Sequence, residues 1–218
     1  MDTITLVLTI LLFVYITIVS IHVVWVSRKI EWQVKYYYFG IATYMILFVI
    51  SQTLFVINEL LATPGFGSVP QRFLLLYIVA NFIGQLAIFG IILVVEKYVY
   101  NKLHYIPSVI VLITAFLILF LPQINNLSMI IVYILIGAII GALVPIIYFV
   151  TGMKLSGKAR NKSFIIGFGL LIFIIGILLN TYFLLELVQI LAYVAPIIQL
   201  VGIAIFHYGF LIYYQIYK

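Results

Sequence analysis

Residues 4–26 read ITLVLTILLFVYITIVSIHVVWV, and the first basic residues, Arg28 and Lys29, follow directly. The run contains no Asp, Glu, Lys, Arg, Pro or Gly. As an α-helix rising 1.5 Å per residue it would reach about 34 Å, enough to cross the roughly 30 Å hydrocarbon core of a bilayer. A cleaved secretory leader would open with basic residues and carry only about 7–15 apolar ones. This chain begins Met1-Asp2, so the run reads as a retained membrane helix.

Similar runs recur along the chain, and the spacing predicts helices over 4–26, 37–60, 73–95, 104–121, 129–151, 163–183 and 187–214. Pro64, Gly65, Gly67 and Pro70 mark the second connection, Pro122, Asn125, Asn126 and Ser128 the fourth, and Gly152, Ser156 and Gly157 the fifth. Of the 218 residues 67% are hydrophobic and 7% charged. A water-soluble domain carries about 25% charged residues, so this composition excludes one. No ten-residue alternation of polar and apolar residues suggests a β-barrel. The expected fold is all-α, a single seven-helix transmembrane domain of a polytopic integral membrane protein. With no cysteine, disulfides and thiolate metal sites are excluded.

The basic residues give the chain a direction. The odd connections and the C-terminus hold Arg28, Lys29, Lys35, Lys97, Lys102, Lys154, Lys158, Arg160, Lys162 and Lys218, while the other side holds only Arg72. Cytoplasmic loops carry such an excess. The N-terminus is therefore expected outside and the C-terminus in the cytoplasm, in a multi-pass protein of the cell membrane. The net charge of +6 then reflects topology and contact with the lipid bilayer, not nucleic acid. Trp25, Trp32, Tyr36, Tyr37 and Tyr38 flank the first connection, Tyr98, Tyr100 and Tyr105 the third, and Tyr213, Tyr214 and Tyr217 close the chain, as interfacial aromatics do.

Polar groups within the apolar runs are the candidate site. Gln52 lies mid-way along the second predicted helix, Asn81 and Gln85 share one face of the third, and Gln199 sits mid-way along the seventh. Asn180 lies toward the outer end of the sixth. Together Gln52, Asn81, Gln85, Asn180 and Gln199 would form an outward-opening ligand pocket, or else act as hydrogen bonds that hold the bundle together. Glu59 and Arg72 flank one connection and could pair at its rim. His22, His104 and His207 could compose a three-His zinc site, but no Asp or Glu lies near them in the membrane to act as base and they differ in depth, so they read as interfacial or hydrogen-bonded side chains. No metal or other cofactor is expected. Lys154, Lys158, Arg160 and Lys162 would make the fifth connection a basic cytoplasmic loop that contacts a partner or anionic lipid.

Gly137 and Gly141, like Gly167, Gly169 and Gly176, permit close helix packing, within the bundle or as a homodimer face. Pro145 and Pro196 each free a backbone carbonyl and can kink a helix. An offset of 127 aligns Lys35 with Lys162, Gly40 with Gly167 and Glu59 with Glu186, a pattern compatible with a three-plus-one-plus-three helix repeat.

Seven helices with an external N-terminus is the layout of rhodopsins and G-protein-coupled receptors. No lysine stands between Leu187 and Gln215 to hold retinal, and the receptor triplet after the third helix is replaced by Glu96-Lys97-Tyr98. The basic turn after the first helix, the passage Arg72-Phe73-Leu74-Leu75-Leu76-Tyr77 through Lys97-Tyr98-Val99-Tyr100, and Tyr105-Ile106-Pro107 resemble the N-terminal seven-helix sensory region of prokaryotic histidine kinases. The resemblance covers Arg28 to Pro107, under half the chain. It implies a membrane sensor that needs a separate output partner, here a cytoplasmic signalling protein. The expectation is a non-enzymatic sensor or receptor-like module for a small or lipophilic ligand. A small neutral-solute transporter and a structural subunit that binds other membrane subunits are the alternatives.

Overall fold

Helix α1, Thr3–Ser27, is built inside out. Its buried face holds Thr5, Thr9, Ser20 and Ser27 among Leu12, Ile16, Val19, Val23 and Val26, while Ile4, Val7, Ile10, Leu11, Val14, Ile18, Ile21 and Trp25 are exposed. A helix in water presents the opposite arrangement. Three of these hydroxyls bond back to their own helix: Thr9 Oγ1 donates to Thr5 O at 2.8 Å, Ser20 Oγ to Ile16 O at 2.7 Å and Ser27 Oγ to Val24 O at 2.6 Å. Such bonds satisfy a polar group where no water is available.

The computed structural model describes residues 3–29, 32–61, 71–120, 127–180 and 190–216, and all regular structure among them is helical. After α1 come α2 (Trp32–Leu61), α3 (Gln71–Tyr98), a 3-10 turn (Asn101–Leu103), α4 (Ile106–Phe120), α5 (Leu127–Gly141), α6 (Leu143–Lys154), α7 (Gly157–Leu179) and α8 (Leu191–Ile216). Six spans are long and apolar enough to cross a membrane: Thr3–Ser27, Lys35–Asn58, Leu75–Tyr98, Val132–Lys154, Gly157–Leu179 and Leu191–Phe210. The fourth predicted helix, 104–121, is described over the 15 residues Ile106–Phe120. That is about 22 Å long, short of the roughly 30 Å of hydrocarbon.

Two boundaries differ from the sequence reading in ways that matter. The fifth predicted helix, 129–151, is interrupted at Ala142, so that α5 and α6 replace one rod. Pro145 accounts for this, because its ring clashes with the carbonyl four residues back, that of Gly141, and has no N–H to bond it. The basic loop expected over Lys154–Lys162 is instead a two-residue break, Leu155 and Ser156, after which α7 begins at Gly157. Gly157 has φ +58, the left-handed conformation that glycine takes at little cost. Lys158, Arg160 and Lys162 therefore stand on a helix.

The chain divides into two units, one of Met1–Phe39 with Ala142–Lys218 and one of Gly40–Gly141. In the first unit α7 packs along α8, α6 along α7, and α1 on α8. At the α7–α8 crossing, a Cβ on Gly169 would lie 2.4 Å from Phe206 N, and one on Gly202 would lie 2.4 Å from Phe173 N. Backbone meets backbone there. Gly167 faces Tyr148 and Phe149 of α6, so the glycines of the sixth predicted helix serve packing inside this unit.

In the second unit α3 packs against α4 and α5, and α4 against α5. Ser51 Oγ of α2 donates to Ala80 O of α3 at 2.8 Å beside Gly84. Gly137 leaves the space that the Gln85 amide fills, and Gly141 faces Ile88, so this pair also packs internally. The 3-10 turn leads through His104 and Tyr105, at φ 50 and 62, into α4. Two successive non-glycine residues in that region are strained. Ser108 Oγ donates to Tyr105 O at 2.9 Å and helps to hold the turn.

Candidate functional site

The residues proposed as a ligand pocket fall in both units. In the second, Asn81 and Gln85 are buried and Gln52 is half-buried. Asn81 Nδ2 donates to Tyr77 O one turn earlier at 2.8 Å. Gln85 Nε2 reaches Ile134 O of α5 at 3.4 Å, a long contact, and its buried Oε1 accepts no hydrogen bond. In the first unit, Gln199 Nε2 donates to Gly176 O of α7 at 3.0 Å. Half-buried Asn180 ends α7, its backbone N–H bonding Gly176 O and Ile177 O. Asn81, Gln85 and Gln199 thus direct their amide N–H groups to helix carbonyls, as interhelical or back-bonding polar groups do in an apolar medium. The side chains of Glu59 and Arg72 lie outside the described residues.

The two histidines that stand within helices of the first unit do meet. His22 Nδ1 of α1 lies 2.7 Å from His207 Nε2 of α8, with the rings edge to face at 79° and centroids 5.0 Å apart. A hydrogen bond between two ring nitrogens requires one to carry a proton and the other to lack it. Around the pair the setting is aromatic. Trp25 stacks on His22 at 6.0 Å and 25°, and Tyr15 meets His207 edge-on at 6.4 Å. His22, Val23, Val26, Tyr38, His207 and Phe210 line a small cavity beside it.

Cations stand one ring away on either side of the pair. Lys29 Nζ sits 3.5 Å from the centroid of the Trp25 ring. Lys162 Nζ of α7 lies 5.9 Å from the Tyr38 ring and 5.8 Å from the Phe210 ring, within cation–π range. Lys162 therefore turns toward the interior of its unit, unlike Lys154, Lys158 and Arg160, which are exposed. Lys162 shares a helix face with Lys158 but stands one turn further along α7 from the break, where that face meets the Tyr38 and Phe210 rings. Deeper in the same unit the hydroxyls of Tyr37 and Tyr148 hydrogen-bond to one another.

A buried acid completes the inventory. Glu96 is 1% exposed, and neither carboxylate oxygen has a hydrogen bond within ordinary distance. Ser108, in the first turn of α4, is the polar group that faces it. Sequence reasoning missed it because the third helix was ended at 95; α3 runs to Tyr98 and carries Glu96 inside. The signal that could have found it is its apolar approach, Ile91-Ile92-Leu93-Val94-Val95.

Among the described residues no group of three His, Cys, Asp or Glu side chains is arranged to hold a metal ion. No protein-family model matches the chain, and neither a curated protein nor a solved structure matches it significantly.

Proposed function

We propose that this chain is a multi-pass integral membrane protein, N-terminus outside and C-terminus in the cytoplasm, that works as a sensor or receptor-like module. The His22–His207 pair is its responsive element and a cytoplasmic signalling protein its output partner. The inside-out faces of α1 and the six long apolar helices support the membrane assignment. The sorting of ten basic residues against one supports the orientation.

One observation carries the sensor reading: a direct imidazole–imidazole hydrogen bond joins the first helix to the last. Ionisable side chains within an apolar span are costly and usually mark a working site. On this reading the pair switches between a bonded state, the one observed, and a parted one, and α1 packs principally on α8 among the described helices. A change at the pair is thus a change in how α1 is held. Exposed Lys154, Lys158 and Arg160 offer the partner or an anionic headgroup a basic surface near the break between α6 and α7.

The test is genetic and uses the full chain. A strain lacking the gene is complemented with wild type, with His22→Asn and with His207→Asn, and transcripts are compared across membrane stresses. A response lost in the deletion, restored by wild type and not by either variant, supports the reading. Full restoration by both variants, at matched membrane abundance, would sink it. Membrane-impermeant labelling of Lys158→Cys, in a chain with no native cysteine, tests the orientation. Labelling from outside intact cells would overturn it.

A further inference from the structure

We propose that the His22–His207 pair is a proton-binding site, at which uptake of a second proton parts α1 from α8. This rests on the reading of the pair as the responsive element. The bonded geometry at 2.7 Å accommodates two neutral rings, or one neutral ring and one imidazolium, because either arrangement leaves one nitrogen without a proton to accept the bond. Two imidazolium rings cannot share it. Each would present an N–H to the other, at like charge, in a setting whose low polarity strengthens the repulsion.

The groups that face the pair do not relieve that repulsion. On α1 these are Tyr15, beside His207, and Lys29, above the Trp25 ring that stacks on His22. On α2 Tyr38 lines the adjoining cavity, and Tyr37 packs against Phe210. From α7 comes Lys162, held near the Tyr38 and Phe210 rings. From α6 comes Tyr148, bonded to Tyr37. None is a carboxylate, so no described neighbour supplies negative charge to hold a doubly protonated pair together. The cavity beside the rings is about the size of one water molecule.

The consequence is mechanical. The pair lies within the packing of α1 on α8, the principal attachment of α1 among the described helices. A metal ion is the weaker fit. Two imidazoles bound to one ion at ordinary bond lengths of about 2.0–2.1 Å and a tetrahedral angle would hold their nitrogens more than 3 Å apart, and no described third ligand joins them.

The chain lends itself to a direct test, because it has three histidines and no cysteine. Full-length protein, 15N-labelled at histidine, is placed in phosphatidylcholine nanodiscs and followed by ring-nitrogen NMR as pH falls, with His104→Asn used for assignment. The expected result is a His22–His207 pair that titrates in two separated steps, with a scalar coupling across the N–H···N bond that vanishes at the second. In His22→Asn or His207→Asn the remaining ring titrates in one step. Spin labels on Ile21→Cys and Tyr208→Cys, both at exposed positions, should separate by several ångströms at the second step. They should not separate in a His22→Phe/His207→Phe double variant, which replaces the pair with an apolar contact and keeps the measurement possible if a single variant misfolds.

Independent one-step titration of both rings, or an unchanged label distance across the second step, would overturn the proposal. So would separation driven by Zn2+ or Cu+ at constant pH with none driven by acid. Two-step titration with helix separation, in a protein whose pair variants leave the transcriptional output untouched, would uphold the proton site while refuting the sensor reading.

Discussion

The α7–α8 crossing allows a sharp test of how the first unit is packed. In Gly169→Ala the new methyl would sit 2.4 Å from Phe206 N, 2.7 Å from Phe206 Cα and 2.9 Å from Gly202 O. These are backbone atoms, so no rotamer change relieves the clash, and the helices must move apart by about 1 Å to restore ordinary contact. Overpacking of this kind costs about 1–3 kcal/mol. The same movement stretches the Gln199–Gly176 bond, now 3.0 Å, beyond hydrogen-bonding distance, adding roughly 0.6–1.7 kcal/mol. Against this stands a helix-propensity gain of about 1 kcal/mol for replacing glycine. The expected net loss is roughly 1–3 kcal/mol, on the order of 3–10 °C in melting temperature for a chain of this size. Thermal unfolding in mild detergent, followed by circular dichroism, measures it.

Two controls sharpen that experiment. Gly90→Ala meets nothing within 4 Å and should be neutral or stabilising. Gly169→Ala/Gly202→Ala should cost clearly less than the sum of the two singles, because the helices need to separate only once. If Gly169→Ala melts with Gly90→Ala, the backbones do not meet as described and the reasoning is refuted.

Substitutions at Gly137 and Glu96 probe the second unit. Gly137→Ala would drive its methyl to 1.9 Å from Gln85 Oε1, a flexible group, so Gln85 swings away and gives up its 3.4 Å contact with Ile134 O; the loss should be at most about 1 kcal/mol, and Gly137→Ala should become harmless in a Gln85→Ala background, as a double-mutant unfolding cycle would show. Glu96→Gln keeps the volume of a buried side chain and its approach to Ser108, and should melt no lower than wild type, whereas Glu96→Ala should lose about 1–3 kcal/mol through the space it opens beneath Ser108. A marked loss for Glu96→Gln would instead show that α4 needs the negative charge at its N-terminus.

Several elements were legible without coordinates, and the reasons differ. The run 4–26 appears as Thr3–Ser27 because nothing in it can face water. The start of α2 at Trp32, before the expected 37, was not legible: Lys35 looks like connection, yet a helix can continue through a polar residue whose long side chain reaches a polar medium. Lys158, Arg160 and Lys162 were misread as loop for the same reason. The interruption at Ala142 was foreshadowed by Pro145, whose clash is local and carried by the residue type itself.

The site divides along the same line. Composition and apolar run length by themselves determined the helical class, the helices long and apolar enough to cross a membrane, and the short set of polar side chains within them. They could do so because burial cost and helix length are properties of a segment alone. Which partners those side chains take was decided only by tertiary structure. That His22 meets His207 across 185 positions, that Gln199 bonds Gly176 O, and that Lys162 turns toward Tyr38 and Phe210 all depend on helix rotation and on the spacing allowed where Gly169 and Gly202 let two backbones touch. Those are relations between distant segments, and an apolar helix leaves its own rotation open until another helix packs against it.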